Sequence, residues 1–377
     1  MKPKVLSIAP DEKFIDGAIE CFDLYSNKFE MHWCVCKNSN QQLKHIKHIK
    51  RVIVIPEKKI LKHIYNIQYD AIVLHSFGVV NPSIINNIPK EIKLFWFGFG
   101  YDIYNYPSQA PFLQWNLYKP ITKKYVTSSL IQTLRNFFLH FLFIIRHRKH
   151  LYEKALNRID YFSGVLDFEY DLMRRNPYFR AQQVKFSYSS LEILKSYEQF
   201  QHYNGNNILV GNSAAITNNH LDLLDYLKKI DLNNKKIILP LSYAGTKRYV
   251  RKIQYIYKKN FGDGTIILTD FIPLSEYMKY IRSCSIAVFF MERQQAMGNI
   301  ISALKNGCKV FLSDNNPVYK FYKKIGIIVF SVENELNNKN IEQPLSFKEI
   351  AHNRQILKTM YDYDACINNL DTIYKML

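Results

Sequence analysis

The sequence predicts an α/β protein made of two doubly wound halves, and three observations predict it. Short β-rich apolar runs alternate with helical stretches almost throughout, the pattern of parallel sheets with helices on both faces. A polar stretch at 196–207, containing the segment "HYNGNN", divides these runs into two sets and suits a loop. At 377 residues, 47% of them apolar, the chain is long enough for two ordinary domains, each with its own core.

In the first half the expected strands fall at 5–8, 32–36, 52–55, 71–74 and 93–97, with further candidates near 161–164 and 184–187. In the second half they fall at 208–210, 236–241, 265–268, 286–290, 310–312 and 327–330. Near the end, Ile367, Leu370, Tyr374 and Leu377 recur at helical spacing, so a helix with one buried face is expected. The division that follows is a first domain at 1–195, a second at 205–350 and a closing helical segment at 351–377.

Aromatic residues make up 15% of the chain, including 27 Tyr and 25 Phe, which is too much core-forming material for a disordered protein. The formal net charge of +19 attracts nucleic acid, anionic lipid or a phosphorylated substrate. Lys and Asn runs such as 233–236 fit an AT-rich genome equally well, so charge alone does not choose among them. A nucleic-acid binder would show a basic stripe with interleaved aromatics or a recognisable module, and the cations here are dispersed. Cys21, Cys34, Cys36, Cys284, Cys308 and Cys366 are scattered, and no second pair at zinc-site spacing joins Cys34 and Cys36. Reduced core thiols and no metal are expected. Residues 1–9 lack the long apolar region and small-residue cleavage site of a secretory signal, which predicts a cytoplasmic protein.

The segment 130–149, "LIQTLRNFFLHFLFIIRHRK", has an apolar centre at 137–145 broken only by His140. It is too short to span a bilayer, which takes roughly 20 apolar residues. One reading is a helix lying in the membrane interface, with Phe137, Phe138 and Phe141 in the acyl boundary and Arg146, Arg148 and Lys149 on anionic head groups. The other is a buried helix of the first domain with a solvated basic end.

Four segments carry candidate chemistry. In "LVGNSAAITNNH" a strand ends in Gly211, Asn212 and Ser213 before a helix starting near Asn218 or Asn219. Backbone N–H groups at such a junction suit a phosphate, and a plain turn with an N-cap reads the same way. In "FFMERQQAMGNIISALKNGCKVFLSDNNP" a buried strand runs into Glu292, Arg293, Gln294 and Gln295. Ligands of open α/β sheets bind outside the carboxyl ends of strands. Arg293 can clamp a phosphate bidentately, the two Gln amides can fix sugar hydroxyls, and Gly298 allows close backbone approach. A solvated polar row remains the alternative. In "LFWFGFGYDIYNY" Asp102 sits at a strand end among aromatics, where desolvation raises a carboxyl toward the range of a general base, although Asp is also a common N-cap. In "AIVLHSFG" His75 ends the preceding strand and would neighbour Asp102 if the two strands are adjacent.

Taken together, these segments resemble the lipid-linked N-acetylfucosaminyltransferases of enterobacterial common antigen synthesis, glycosyltransferase family 56. The similarity runs in order from about His75 to Phe330. Its most specific parts are Val210 to Ser213 with Asn219 and His220, the turn at 240–243, and Arg293, Gln294, Gln295 and Gly298 with Gly307. Phe95, Trp96, Gly100, Asp102 and Tyr104 follow the family's Phe-Trp strand and Gly-x-Asp-x-Tyr. Departures are Ser76 and Ala296 where the family has Gly, Phe99 where it has Trp, and Glu292 in place of a small residue.

The resemblance implies a GT-B fold: two Rossmann-like doubly wound domains with an inter-domain cleft, the closing helix packing back toward the first domain. The second domain would bind a nucleotide sugar through Gly211, Asn212, Ser213, Tyr243, Lys247, Phe271, Glu292, Arg293, Gln294, Gln295 and Gly298. Within this set Phe271 comes from "DFIPLSE", a stretch resembling the one beside the nucleobase in many GT-B enzymes. The first domain would take a polyprenyl-diphosphate-linked acceptor, with Asp102, His75 and Asp11 as base candidates if the reaction inverts. No cofactor or metal and no nucleic acid are expected. The expected setting is surface or capsular polysaccharide synthesis, peripheral to the cytoplasmic face of the inner membrane. A catalytically silent scaffold of the same fold is the rival reading.

Overall fold

The computed structural model of the chain describes residues 2–12, 14–37, 42–104, 117–128, 138, 148–188 and 205–377. The chain forms two compact units, Met1–Pro111 with Phe137–Glu198 and Met360–Leu377, and Phe112–Asn136 with Gln199–Thr359.

Unit 1 holds a seven-stranded sheet of β1 (Lys4–Ala9), β2 (Glu30–Cys36), β3 (Val52–Ile55), β4 (Ala71–Leu74), β5 (Lys93–Phe97), β6 (Tyr161–Ser163) and β7 (Gln182–Gln183). All pairings are parallel, in the order β3-β2-β1-β4-β5-β6-β7. The unbroken apolar runs follow from burial on both faces. Alternate residues supply two cores: Leu6, Ile8, Ile72, Leu74, Leu94 and Trp96 face one way, while Val5, Val73, Phe95 and Phe97 face the other. Helices Glu57–Ile67 and Arg148–Arg158 cover the first face through Ile60, Ile64, Ala155 and Leu156. Helices Phe14–Asp23 and Tyr363–Lys375 cover the second through Ile19, Phe22, Leu370 and Ile373. Cys21 Sγ lies 2.8 Å from Cys366 Sγ between these two helices.

Unit 2 holds β8 (Asn207–Val210), β9 (Ile237–Pro240), β10 (Thr265–Leu268), β11 (Cys284–Phe289), β12 (Lys309–Leu312) and β13 (Phe330–Ser331). These strands are also all parallel, in the order β10-β9-β8-β11-β12-β13. Counted within each unit, both sheets begin 3-2-1-4-5-6. The order reverses between the first and fourth strands, and the crevice outside the carboxyl ends at that reversal is where such sheets take ligands. The reversal lies between β1 and β4 in unit 1 and between β8 and β11 in unit 2.

The division differs from the expected one in two places. Residues 117–128 belong to unit 2, because helix Pro120–Thr127 docks there through its N-terminus. The N–H groups of Ile121 and Thr122 donate to the Asp222 carboxylate at 2.7 and 2.9 Å, satisfying donors that a helix start leaves open. Helix Phe347–Tyr361 belongs to unit 2 as far as Thr359, where Asn353 holds both Ile328 N–H and its carbonyl. Strand β7 is shorter and earlier than expected. Val184 and Phe186 are buried; Val184 N–H still bonds the Phe162 carbonyl of β6 at 2.9 Å, but the N–H of Phe186 goes to Ser163 Oγ, and the ladder ends there.

Of the expected membrane segment, Phe137, Phe141 and Arg146 lie outside the described residues. Phe138 is exposed, Arg148 opens helix Arg148–Arg158, and Lys149 pairs with Glu153 at 3.7 Å. Among the described residues no helix is long and apolar enough to cross a membrane. Most of the expected loop at 196–207 also lies outside them.

Candidate functional site

At the end of β8, Gly211 takes φ +65°, and a Cβ there would stand 2.7 Å from Asn218 Oδ1, so this turn closes only around glycine. The turn uses its own donors. Gly211 N–H goes to Val288 O, Asn212 N–H to Asn218 Oδ1, Ala214 N–H to Tyr243 O and Ala215 N–H to Ser213 Oγ. Of the N–H groups expected to face a phosphate, those of Gly211 and Asn212 are used within the fold. Asn219 is left-handed at φ +52° and precedes helix His220–Leu227. Its amide binds Leu117 O and Phe290 O rather than a ligand. His220 is fully buried and burial lowers its pKa to about 3, so it is neutral.

What the turn offers is the Asn212 side chain. Its Nδ2 donates to Tyr243 Oη at 2.8 Å, its Oδ1 accepts from Gln295 Nε2 at 3.2 Å, and Gln295 Oε1 accepts from Thr217 Oγ1 at 2.7 Å. One chain of hydrogen bonds thus joins three motifs that lie far apart in sequence.

After β11 the backbone turns at Ala296, φ +63°, into helix Met297–Lys305, and no side chain caps that helix start. Its first internal bond comes from Ile300 N–H to Ala296 O, so the preceding N–H groups form an electropositive end suited to an anion. A Cβ on Gly298 would meet nothing within 4 Å. Gln294 is only 5% exposed, yet its Oε1 has no hydrogen-bond partner among the described residues. Such a buried amide oxygen carries an unrelieved desolvation cost unless a ligand supplies a donor. Arg293 lies beside it, with Nη1 at 3.5 Å from the Gln294 carbonyl. Burial raises the Tyr118 phenol pKa, and the nearby Arg293 guanidinium acts against that rise.

Nearby, Lys247 is exposed in the first turn of helix Lys247–Phe261, which Thr246 caps. With Tyr243, Arg251, Gln254 and Thr269 it lines an open hollow of about 480 Å³. Phe271 is 66% exposed beyond β10.

The unit 1 candidates are brought to one end of their sheet but are closed into the fold. His75 is fully buried, with Nε2 at 3.1 Å from Ser7 Oγ and Nδ1 at 2.8 Å from Tyr188 Oη. It stacks on Trp33, and burial lowers its pKa to about 3. Asp102 does lie on the neighbouring chain, but it does not meet His75. Its Oδ2 accepts from Phe77 N–H at 2.7 Å and Trp96 Nε1 at 3.0 Å, and its Oδ1 from Phe99 N–H at 2.7 Å. Burial raises its pKa to about 6, against those three donors. Burial also works to raise Asp11, but Lys37 Nζ at 2.6 Å and the N–H groups of Lys44, His45 and Ile46 outweigh it and hold the carboxyl at about 2. All three are thus held by hydrogen bonds within the fold: Asp102 by three donors, His75 by Ser7 and Tyr188, and Asp11 by Lys37 and three backbone N–H groups.

One group the sequence gave no sign of is Lys119. Its Nζ lies 2.7 Å from Glu292 Oε1 and 2.8 Å from Glu333 Oε1, brought to the site by the docking of 117–128 on unit 2.

Two parallel six- and seven-stranded sheets with helices on both faces, and a polar site at the strand reversal of the second, define a GT-B glycosyltransferase. Known structures share the whole architecture. A glycosyltransferase from Rickettsia africae matches at TM-score 0.61 and 12% identity, over 100% of this chain and 98% of its own. HepE from Anabaena, in complex with UDP and glucose, matches at 0.63 and 12% over 100% of both chains. Sucrose-phosphate synthase from Thermosynechococcus elongatus matches at 0.63 and 11%, over 100% of this chain and 99% of its own. The profile described as "4-alpha-L-fucosyltransferase glycosyl transferase group 56" matches residues 130–363, and the chain belongs to that family.

Ser76 and Ala296 take φ +119° and +63°, backbone conformations that a Cβ disfavours and glycine adopts freely.

Proposed function

We propose that this glycosyltransferase moves an N-acetylated deoxyhexose from a nucleotide sugar held by unit 2 to a polyprenyl-diphosphate-linked glycan taken by unit 1. The setting is surface or capsular polysaccharide synthesis at the cytoplasmic face of the inner membrane. The observation that carries the donor half of this reading is Gln294: a buried amide with an unpartnered oxygen, one turn before an uncapped helix start beside Arg293. The family's description as a fucosyltransferase supports the sugar class. Exposed Phe138 and Lys149 support a segment at 130–149 that meets an anionic membrane surface.

Transfer requires a diphosphate to leave, an oxocarbenium-like centre to be stabilised and an acceptor hydroxyl to be oriented. Arg293 and the open N–H groups at the start of helix Met297–Lys305 offset the leaving-group charge, so this reading needs no metal. Gln295, held by Asn212 and Thr217, orients the donor, and Phe271 with Tyr243 gives the nucleobase an aromatic surface. Asp102, His75 and Asp11 are engaged in the fold, which favours chemistry that does not draw a base from them.

The test is a thermal-shift screen against dTDP, UDP, GDP, CDP and ADP, repeated with Arg293→Ala. A ligand at about 100 times its Kd stabilises the protein by roughly 2.7 kcal/mol. A shift with one nucleotide that is lost in the variant is the expected result, and silence from all five would sink the donor reading.

A further inference from the structure

A charged cluster at the carboxyl ends of β11 and β12 joins the donor-site candidate Glu292 to Lys119, Ser313 and Glu333, which the donor motifs did not include. Glu292 Oε1 accepts from Lys119 Nζ at 2.7 Å and from Ser313 Oγ at 2.8 Å. Lys119 Nζ and Ser313 Oγ also meet Glu333 Oε1, at 2.8 and 2.7 Å. Glu333 is engaged at its other oxygen too, where Oε2 accepts from Asp314 N–H at 3.0 Å.

Glu292 is not. Its side chain is 10% exposed, and its Oε2 has no hydrogen-bond partner among the described residues yet is not among the buried unsatisfied atoms. That oxygen therefore opens to solvent from an otherwise enclosed carboxylate, one residue before Arg293. A carboxylate locked at one oxygen and open at the other presents a fixed, strong acceptor, which is the geometry that hydroxyl recognition requires.

Lys119 is itself fixed from several sides. Its N–H donates to Asn219 Oδ1 at 3.0 Å, and Asn219 Nδ2 holds the Leu117 carbonyl at 3.2 Å. Asp222 takes the next helix start, and the ammonium sits 4.2 Å from the centre of the Phe290 ring with its side chain 13% exposed. Burial alone would lower the ammonium pKa, but Glu292 and Glu333 outweigh it and hold it above its ordinary value. Without this cation, two half-buried carboxylates would face one hydroxyl that has a single proton to give, and Glu292 would turn away.

We propose that Lys119 is a positioning residue for the donor sugar, holding Glu292 Oε1 so that Oε2 accepts a hydrogen bond from a sugar hydroxyl. The inference rests on reading unit 2 as the donor half, and it makes the segment 117–128 part of that site although it lies about a hundred residues upstream of β8. It selects donors whose sugar carries a free hydroxyl at that place. A sugar without it would leave the carboxylate desolvated and unpaired, a loss that sites of this kind discriminate strongly.

The test separates the sugar from the nucleotide. Calorimetry compares UDP with UDP-glucose and UDP-N-acetylglucosamine, GDP with GDP-fucose, and dTDP with dTDP-glucose, on the wild type and on Lys119→Met, Glu292→Gln, the double variant and Lys119→Arg. For the nucleotide that binds, Lys119→Met and Glu292→Gln should each cut the affinity added by the sugar about tenfold, the worth of one charge-assisted hydrogen bond. The bare nucleotide should bind within about twofold of wild type, the double variant should do no worse than either single one, and Lys119→Arg should recover most of the loss. Equal weakening of bare nucleotide and nucleotide sugar by Lys119→Met overturns the positioning role, as does an undiminished sugar contribution in Glu292→Gln. If wild-type protein binds none of these probes and neither CDP nor ADP, the donor reading falls with it, an outcome the variants cannot imitate.

Discussion

At the strand reversal of unit 1, Asp11, His75 and Asp102 use their polar atoms on neighbouring backbone and side chains. At the matching reversal of unit 2, Gln294 Oε1 and Glu292 Oε2 have no partner among the described residues, and the adjoining helix start has no side-chain cap. The two sheets share one strand order, so the fold does not dictate this difference. A titratable side chain at the ligand end of a strand is therefore a poor sign of chemistry by itself. The better sign is a buried, unpartnered polar atom that also adjoins an uncapped helix start, as Gln294 Oε1 does, since buried unpartnered atoms such as Trp33 Nε1 occur in unit 1 as well.

That contrast can be broken most directly by removing one polar group from each unit. Asp102→Ala strips the acceptor from three donors, each worth about 1–3 kcal/mol when left unsatisfied. Unit 1 should lose about 4 kcal/mol, read from hydrogen exchange of amides in β4 and β5, and a loss under about 1 kcal/mol would show that Asp102 is free for another task. Gln294→Leu should do the reverse. Stability should hold or rise slightly, because the variant buries no unpaired amide, while donor turnover falls by roughly 100-fold, about 2.7 kcal/mol. A variant that loses stability but keeps turnover would place Gln294 with the fold anchors.

Acid should separate the units next. His75 and His220, at about 3 in the folded protein, bind fewer protons than the unfolded chain between that value and an ordinary 6.5. Each therefore gives stability that is complete above about pH 6.5 and is lost as the pH falls, by up to about 1.4 kcal/mol per unit. Asp102, raised to about 6, has the opposite sign between there and its ordinary 3.8, because the folded state holds that proton more tightly. From pH 6 to about 4 the His75 and Asp102 effects cancel in unit 1, leaving there what His63 on helix Glu57–Ile67 adds, since burial lowers its pKa too, while His220 has no such counterweight in unit 2. Hydrogen exchange at pH 6 and pH 5 should find β8 less protected at the lower pH, with β4 nearly unchanged, after correction for the intrinsic rate. Equal slopes would refute the pairing of His75 against Asp102.

The smallest expected effect concerns Ala296, a non-glycine residue at φ +63°. A left-handed residue with a Cβ costs roughly 1–2 kcal/mol, and glycine returns about 0.4–1 kcal/mol of that through the unfolded chain. Ala296→Gly should therefore raise stability by about 0.5 kcal/mol, measured by urea unfolding. A drop would mean that the alanine methyl makes a contact worth more than its strain.

The sequence revealed the strands because both faces of each sheet are covered, so runs such as 71–74 and 286–289 read as unbroken apolar stretches. It revealed Arg293, Gln294 and Gln295 because long polar side chains follow one of those runs directly. It could not show that Asp102 would be taken by Trp96 and the Phe77 backbone, since the hydrogen bonds of a side chain depend on which loops meet in space. Lys119 was hidden for the same reason, as it meets Glu333 across 214 positions of chain. The strand expected at 184–187 pairs only as far as Val184 and then leaves the ladder at Phe186, because buried extended residues look alike whether their N–H groups meet a strand or a side chain.

The discontinuity of unit 1 also has a meaning in time. Helix Tyr363–Lys375 covers the face of the sheet built by Val5, Trp33 and Phe95, yet Cys366 follows Cys21 by 345 positions. A ribosome makes every strand of both sheets before it makes that cover. From Gln183, where the first sheet is complete, to Lys375, synthesis at about 5–20 residues per second leaves that apolar face open for roughly 10–40 seconds. Unit 2, whose parts end at Thr359, has all its residues first, so the half that carries Gln294 is ready to fold while the half that begins the chain still waits for its last helix.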